Sequence, residues 1–326
     1  MGGNDNRRMS TPLPTTISTT SAASPFQGAA RLSHWGVIRA SGADAASFLH
    51  SQLTNDFAAL SATQARLAGY CSAKGRLLAS FIAWTPRPDE ILLACHASVL
   101  PATLKRLSMF VLRAKCKLSD ASAELPLFGV AGDDALVAGL PTWGKRDDGA
   151  TQVIRLPDAA GVARALVASP SADLQADLPL ATWQWLDVQS GVPTIEAATV
   201  EQFVPQMLNF ELVGGVNFQK GCYPGQEIVA RAQYRGTVKR RTFLFDVEAQ
   251  AAAGQEVFHS DDPGQPAGLV ATAATRPDGQ GASALVEVKL ASLTQGTLHL
   301  GAPGGPMLHR RELPYAVPMD AADLPA

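Results

Sequence analysis

Apolar and polar positions along the chain fall into short blocks whose periods predict a mixed fold beginning near Arg31. WGVIRASG (35–42) reads as a strand closed by Gly42. In ADAASFLHSQLTND (43–56), Ala46, Leu49 and Leu53 share one face, which predicts a helix with Asp44 as N-cap and Asn55-Asp56 as the turn that ends it. ARLAGYCSAKGRLLASFIAW (65–84) predicts a hairpin turning at Ala73-Lys74-Gly75, with Cys71 on its first strand. EILLACHA (90–97) is a further strand, and SVLPATLKRLSMFVLRAKCKL (98–118) a helix running into a strand. Alternation weakens between about 120 and 182, where FGVAG and TQVIRL stand among Pro/Gly/Asp loops, and resumes in WQWLDVQSGVPTI (183–195). After Arg241 the pattern changes to TFLFDV, AGLVATAAT, ALVEVKL and GTLHL, short strands of a small antiparallel barrel or sandwich. The alternation of ALVEVKL marks a half-buried strand.

Composition narrows the class. A chain of 326 residues, 46% hydrophobic and 17% charged, has the material for a globular core and the length of two domains or one elaborated domain. Its formal net charge of −2 excludes the overall positive field of a general nucleic-acid binder, so any anion contact needs a local patch. Residues 1–28 are rich in Ser, Thr, Pro and Gly and lack the apolar centre of a secretory signal; they read as a disordered tail. No stretch reaches the roughly 18 uncharged apolar residues of a membrane span, and a cytoplasmic protein with no membrane contact is expected. Cys71, Cys95, Cys116 and Cys222 are far apart with no CxxC, which favours a reducing compartment and predicts no metal site.

The chemistry concentrates in KGCYPGQEIVAR (220–231). From Lys220 to Arg241 there are six basic residues (Lys220, Arg231, Arg235, Lys239, Arg240, Arg241) against one acid, Glu227. Cys222 precedes Pro224-Gly225, and QEIVARAQY predicts a helix just after it. A thiol near a helix N-terminus and beside ammonium groups is biased towards the reactive thiolate. The plainer reading, a small loop residue in a solvated charged face, stands beside it. One cysteine is too few for a closed zinc or iron–sulfur site, which needs four ligands, so Cys222 would act transiently or share a cluster with a partner. None of the six histidines, His50 among them, sits in a motif that pairs it with the thiol. Cys71 and Cys95 lie in apolar strands and read as packing. Trp35, Trp183 and Trp185 read as core or as faces on which a flat heteroaromatic ligand stacks.

KGCYPGQEIVAR followed by RGTVKRR, with GADAASFLHSQLTND, YCSAKGRLL and QSGVPTIEAATVEQFVPQMLNFELVGGVNFQ preceding it in order, resembles the YgfZ family of folate-binding iron–sulfur maturation proteins. That family is related to the glycine-cleavage aminomethyltransferase, or T-protein. The resemblance implies an α+β, T-protein-like folate-binding fold: two interleaved α+β subdomains around a central channel (29–241) and a C-terminal antiparallel β-barrel (242–326). It implies tetrahydrofolate or another reduced folate as ligand, with Trp35 and Trp183, or Trp185 by a shift, at the folate site. It implies a role in assembling or repairing iron–sulfur enzymes, including tRNA-modifying ones, with Cys222 as functional thiol and a transient cluster as its cargo. Partners are then folate and iron–sulfur assembly or client proteins, with a monomer expected and direct nucleic-acid binding not expected.

Roles within the motif follow from the same resemblance. Lys220, Arg231 and Arg235 would keep Cys222 ionised or attract the folate glutamate, and Gly221, Tyr223 and Gly225 shape the loop. Gln226 and Glu227 cap the helix or orient the thiol. One departure separates the chain from a transferase: T-proteins carry GGI-x-DD, whose aspartate assists attack on the methylene bridge, and AKGRLLAS (73–80) has Leu78 and Ala79 there. Folate-dependent aminomethyl or one-carbon transfer, the alternative reading, lacks that carboxylate.

Overall fold

The structure is a computed structural model, described for residues 26–170, 174–234 and 238–319. The expected tail, apart from residues 26–28, lies outside the described residues, as does Arg235.

β1 (Gly28–Arg31) opens one sheet and β2 (Trp35–Ser41) at once begins another. α1 (Ala45–Gln52) follows, then the hairpin of β3 (Ala65–Cys71) and β4 (Leu77–Arg87), β5 (Glu90–His96), α2 (Leu100–Ser108) and β6 (Lys117–Asp120). These strands form an antiparallel sheet in the order β3-β4-β5-β2-β6. The chain then returns to the sheet that β1 began with β7 (Leu127–Ala131), β8 (Lys145–Asp148), β9 (Thr151–Ala159) and β10 (Val162–Ala168), in the order β1-β7-β10-β9-β8. The two α+β units are therefore interleaved through β1. α3 (Leu180–Gln189), a long irregular stretch with 3-10 turns, and α4 (Gln226–Tyr234) lead to the last sheet. That sheet holds β11 (Arg240–Val247), β12 (Glu256–His259), β13 (Asp262–Thr275), β14 (Ala282–Lys289), β15 (Leu298–Leu300) and β16 (Leu308–Arg311), in the order β15-β12-β13-β14-β11-β16. Its two edges approach at a bridge between His299 and Met307, which curls it towards a barrel.

One continuous core joins the first two sheets and α3, and includes Trp84, Phe81, Leu93 and Trp183. The C-terminal sheet has its own core around Phe243, Phe245 and Val286. α3 bridges them, because Val188 packs with Leu244 and Leu285 of the barrel.

Three local expectations change. The helix predicted over 43–56 spans only Ala45–Gln52, since Leu53 turns to extended backbone and pairs with Tyr70. Asp44 occupies the N-cap position without a side-chain cap; its Oδ2 accepts the Lys115 N–H at 2.7 Å instead. β14, read as half-buried, is buried on both faces: Glu287 faces inward against Arg240, and Leu285 lies under α3. VARALVA, to which the sequence reading assigns no element, is β10, buried along its length.

Candidate functional site

A narrow slot lies between the two interleaved sheets, with α3 along one side. About 530 Å³ of space there, part of it open to solvent, is free of protein atoms, and about 30 Å³ admits the centre of a water molecule. Trp35 at the start of β2, Trp143 just before β8 and Trp183 on α3 all line it, with Leu32, Leu67 and Leu166.

The helix period explains which α3 residues face the slot. Trp183 and Asp187 are four apart, share a face and both line it. Trp185, two residues on, turns the other way and donates its indole N–H to Ser283 Oγ of β14 at 3.0 Å. The slot thus brings together Trp35 and Trp183, while Trp185 packs under the barrel beside Phe26.

Trp183 is 1% exposed, and its seating depends on Gly129 of β7, where a Cβ would lie 2.3 Å from the indole. The Arg164 guanidinium lies 4.8 Å from the same ring. Trp183 is thus covered by its own neighbours, whereas Trp35 and Trp143 are only half-buried. Trp143 holds φ of 65°, the left-handed region that bulky residues avoid, fixed by its N–H to Arg155 O and its carbonyl to Ala65 N–H.

The slot also contains an ion pair: Arg164 Nη1 donates to Asp187 Oδ1 at 2.8 Å. Asp187 lies deep in the fold yet keeps 22% of its side chain open. Burial raises its pKa, and Arg164 opposes the rise, helped by the nearby Trp183 indole. Trp183 Nε1 is buried and makes no hydrogen bond of ordinary geometry. Leu78 and Ala79 sit at the start of β4 and put no carboxylate on that strand, whose Ser80, Phe81 and Ile82 line the slot.

Leu67 and Trp143 are shared with a wider polar cavity, where about 670 Å³ admits the centre of a water molecule against about 30 Å³ in the slot. Its walls include Asn55, Arg66, Asn217, Glu211, Gln233 and Tyr234. Arg66 Nε, Glu211 Oε2 and Gln233 Oε1 are buried there with no hydrogen-bond partner. Such groups favour a ligand or water that completes them.

The KGCY segment lies at the other end of β3. Lys220 Nζ is buried and donates to the carbonyls of His50 and Leu53 at the end of α1. It lies 4.8 Å from the Tyr223 ring. Burial lowers the Lys220 pKa to about 8, with Asp56 and Cys222 opposing the shift. Tyr223 is buried beside Cys71, and burial raises both groups, the Cys71 thiol to about 12. Gly225 has φ of 79°, and a Cβ there would meet Ser72 O at 2.4 Å, so only glycine lets this turn lie on the β3–β4 hairpin. The two sequence signatures, YCSAKGRLL and KGCYPGQE, therefore meet in space. Cys222 is exposed. Gln226 and Glu227 open α4; Glu227 and Arg231 are exposed on it. Among the described residues no three His, Cys, Asp or Glu side chains come together to hold a metal ion. No helix among them is long and apolar enough to cross a membrane.

Arg240 and Arg241 do not form an open basic run. Arg240 is bidentate to Glu287, and buried Arg241 pairs with Glu211. Asp187, Arg164 and Trp143 escape the sequence reading. The i, i+4 spacing with Trp183 signals the first, and a lone cation inside apolar VARALVA signals the second. Trp143 lies in a Pro/Gly loop that gives no signal.

Two interleaved antiparallel sheets, a channel between them and a C-terminal half-barrel define the aminomethyltransferase fold. The solved glycine cleavage system aminomethyltransferase T from Bartonella henselae has it, with a TM-score of 0.70 over 89% of this chain and 87% of that one, at 18% identity. No family model matches the chain. It is 37% identical over 233 residues to the tRNA-modifying protein YgfZ of Edwardsiella ictaluri (strain 93-146), covering 65% of this chain and 69% of that protein. It is 32% identical over 270 residues to the tRNA-modifying protein YgfZ of Serratia proteamaculans (strain 568), covering 76% and 80%. The chain belongs to the YgfZ family.

Proposed function

We propose that the protein binds a reduced folate in the slot and serves, through Cys222, the assembly or repair of iron–sulfur enzymes that modify tRNA. The observation that carries the folate reading is the pairing of an aromatic-lined slot with an inward carboxylate and half-buried indoles. A pterin is flat and presents an N3–H and a 2-amino group on one edge. The half-buried indoles of Trp35 and Trp143 supply stacking faces, and Asp187 accepts from the pterin edge. Arg164 occupies Oδ1 and holds the carboxylate in place. The p-aminobenzoyl-glutamate tail extends past Trp143 into the polar cavity, where Arg66 stands.

Cys222 and the slot lie at opposite ends of β3. Leu67 and Cys71 are four residues, roughly 13 Å, apart along the strand. The thiol faces solvent, where a partner protein can reach it. With no metal-holding trio among the described residues, a cluster at Cys222 is cargo that takes its other ligands from elsewhere. The absent β4 acid and the placement of Asp187, tied to Arg164, favour binding over aminomethyl transfer.

Anaerobic titration with tetrahydrofolate, read by tryptophan fluorescence, tests the folate half. Saturable quenching that Asp187→Asn weakens about tenfold, a cost of about 1.4 kcal/mol, is expected. No quenching by any reduced folate would sink it. Loss of iron–sulfur-dependent tRNA modification in cells carrying Cys222→Ala is expected, and full modification would refute the thiol's part.

A further inference from the structure

The thiol has an imidazole beside its loop that the sequence does not connect with it. His50 is in the last turn of α1; its Nδ1 lies 3.0 Å from Asp56 Oδ1, the nearer of its two contacts, with the Ala58 amide nitrogen at 3.5 Å. A carboxylate on Nδ1–H fixes the tautomer, leaves Nε2 with the lone pair and stabilises the imidazolium when it forms. Nε2 faces the thiol loop, 3.5 Å from the place a Cβ on Gly221 would occupy, and has no hydrogen-bond partner among the described residues. Cys222, the next residue, is exposed and likewise makes no hydrogen bond among them. Lys220 holds this geometry, because its ammonium is bonded to the His50 and Leu53 carbonyls and fastens the loop to that turn of α1.

We propose that His50, oriented by Asp56, is the base that serves Cys222. The proton leaves Sγ and arrives on Nε2, directly or through one water in the space that Gly221 leaves open. The S–H bond breaks, an N–H bond forms, and the products are a thiolate and an imidazolium with no change in total charge. The thiolate is the species that attacks a soft electrophile or ligates iron. Lys220 adds positive charge near the sulfur up to about pH 8, to which burial lowers it, but its protons are committed to carbonyls and it does not act as the base. The other charged groups on the surrounding elements are Asp56, on the far side of the imidazole, Glu227 in the first turn of α4, and Lys74 and Arg76 on the hairpin turn. Of these groups His50 is the one that turns an unpartnered ring nitrogen towards the thiol loop. The inference rests on the reading of Cys222 as a functional thiol, and it fails separately from it, because its test reads the sulfur directly.

The test is the rate of iodoacetamide alkylation of Cys222 in the full chain, followed by peptide mass spectrometry from pH 5.5 to 9.5. In the wild type the rate should rise through the imidazole range, about pH 6–7. His50→Gln should remove that limb and lower the rate at pH 7 about tenfold, the equivalent of one unit in an ionisation constant, while matching the wild type at pH 9.5. Asp56→Asn should lower it less and in the same direction. Gly221→Ala, which places a methyl in ordinary contact with Nε2, should lower it with the fold intact. Lys220→Met should keep the limb. If His50→Gln melts below the assay temperature, Asp56→Asn decides alone. An unchanged pH profile in a folded His50→Gln or Asp56→Asn protein overturns the proposal, whatever Cys222→Ala does in cells.

Discussion

The slot and the thiol face are joined by one strand, β3, and are built on opposite principles. In the slot every functional group is held from behind: Trp183 by Gly129 and Arg164, Asp187 by Arg164, and Trp143 by two backbone hydrogen bonds that keep it left-handed. On the thiol face only the supports are buried, namely Lys220, Tyr223 and Cys71, while Cys222 itself stands in solvent. Side chains already held in place suit a small flat ligand, since little ordering of them is left to binding. An exposed thiol on a rigid base suits a reagent or partner that arrives from outside. The four cysteines make the same contrast. Burial raises Cys71 and Cys95 to about 12 and raises half-buried Cys116 in the same direction, whereas Cys222 is the exposed one.

Substitutions separate these two regions. Trp183→Ala should have the largest effect, a loss of about 3–5 kcal/mol in urea denaturation, because it empties a fully buried indole from the common core. Trp143→Ala should be much milder in the same measurement and still abolish folate quenching; equal losses of stability would erase the distinction between support and contact.

Acid should come next. Burial, with a smaller contribution from His96, lowers His34 to about 4 beside Trp35. The folded state therefore holds that imidazole neutral while the unfolded chain protonates it below about 6.5. This contribution is intact above pH 6.5 and is lost as the pH falls towards 4, in total on the order of 2–3 kcal/mol. Denaturation midpoints at pH 7 and pH 5 check it, and His34→Gln should flatten the difference.

Gly225→Ala forces a Cβ on to Ser72 O at a left-handed φ and should cost about 1–3 kcal/mol, seen as a lower Tm with folate binding retained. Lys220 acts at the alkaline end. Its pKa is lowered to about 8, so the unfolded chain holds more protons between pH 8 and about 10.5 and stability should climb across that window. Lys220→Met should remove the climb.

The periodic elements were legible because their cause is local. The hairpin turn at 73–75, the strand over 35–41 and the helix over 226–234 follow from neighbours in sequence. What escaped is set by distant groups. Asp44 prefers the Lys115 amide to its own helix, and Glu287 in β14 is buried because Arg240 meets it. In the site, aromatic residues and the cysteine announce themselves by rarity. Arg164, Asp187 and Trp143 gain their meaning only when β10, α3 and the loop before β8 converge. His50 likewise becomes notable only when the loop through Gly221 crosses the end of α1.

The most direct test of folate binding in the slot is a crystal structure of the protein grown or soaked anaerobically with tetrahydrofolate. The pterin is expected against Trp35 and Trp143 with its amino edge on Asp187, the glutamate running towards Arg66, and Cys222 well clear of the ring. A pterin lodged in the wide polar cavity alone, or a slot that stays closed at saturating folate, would contradict it.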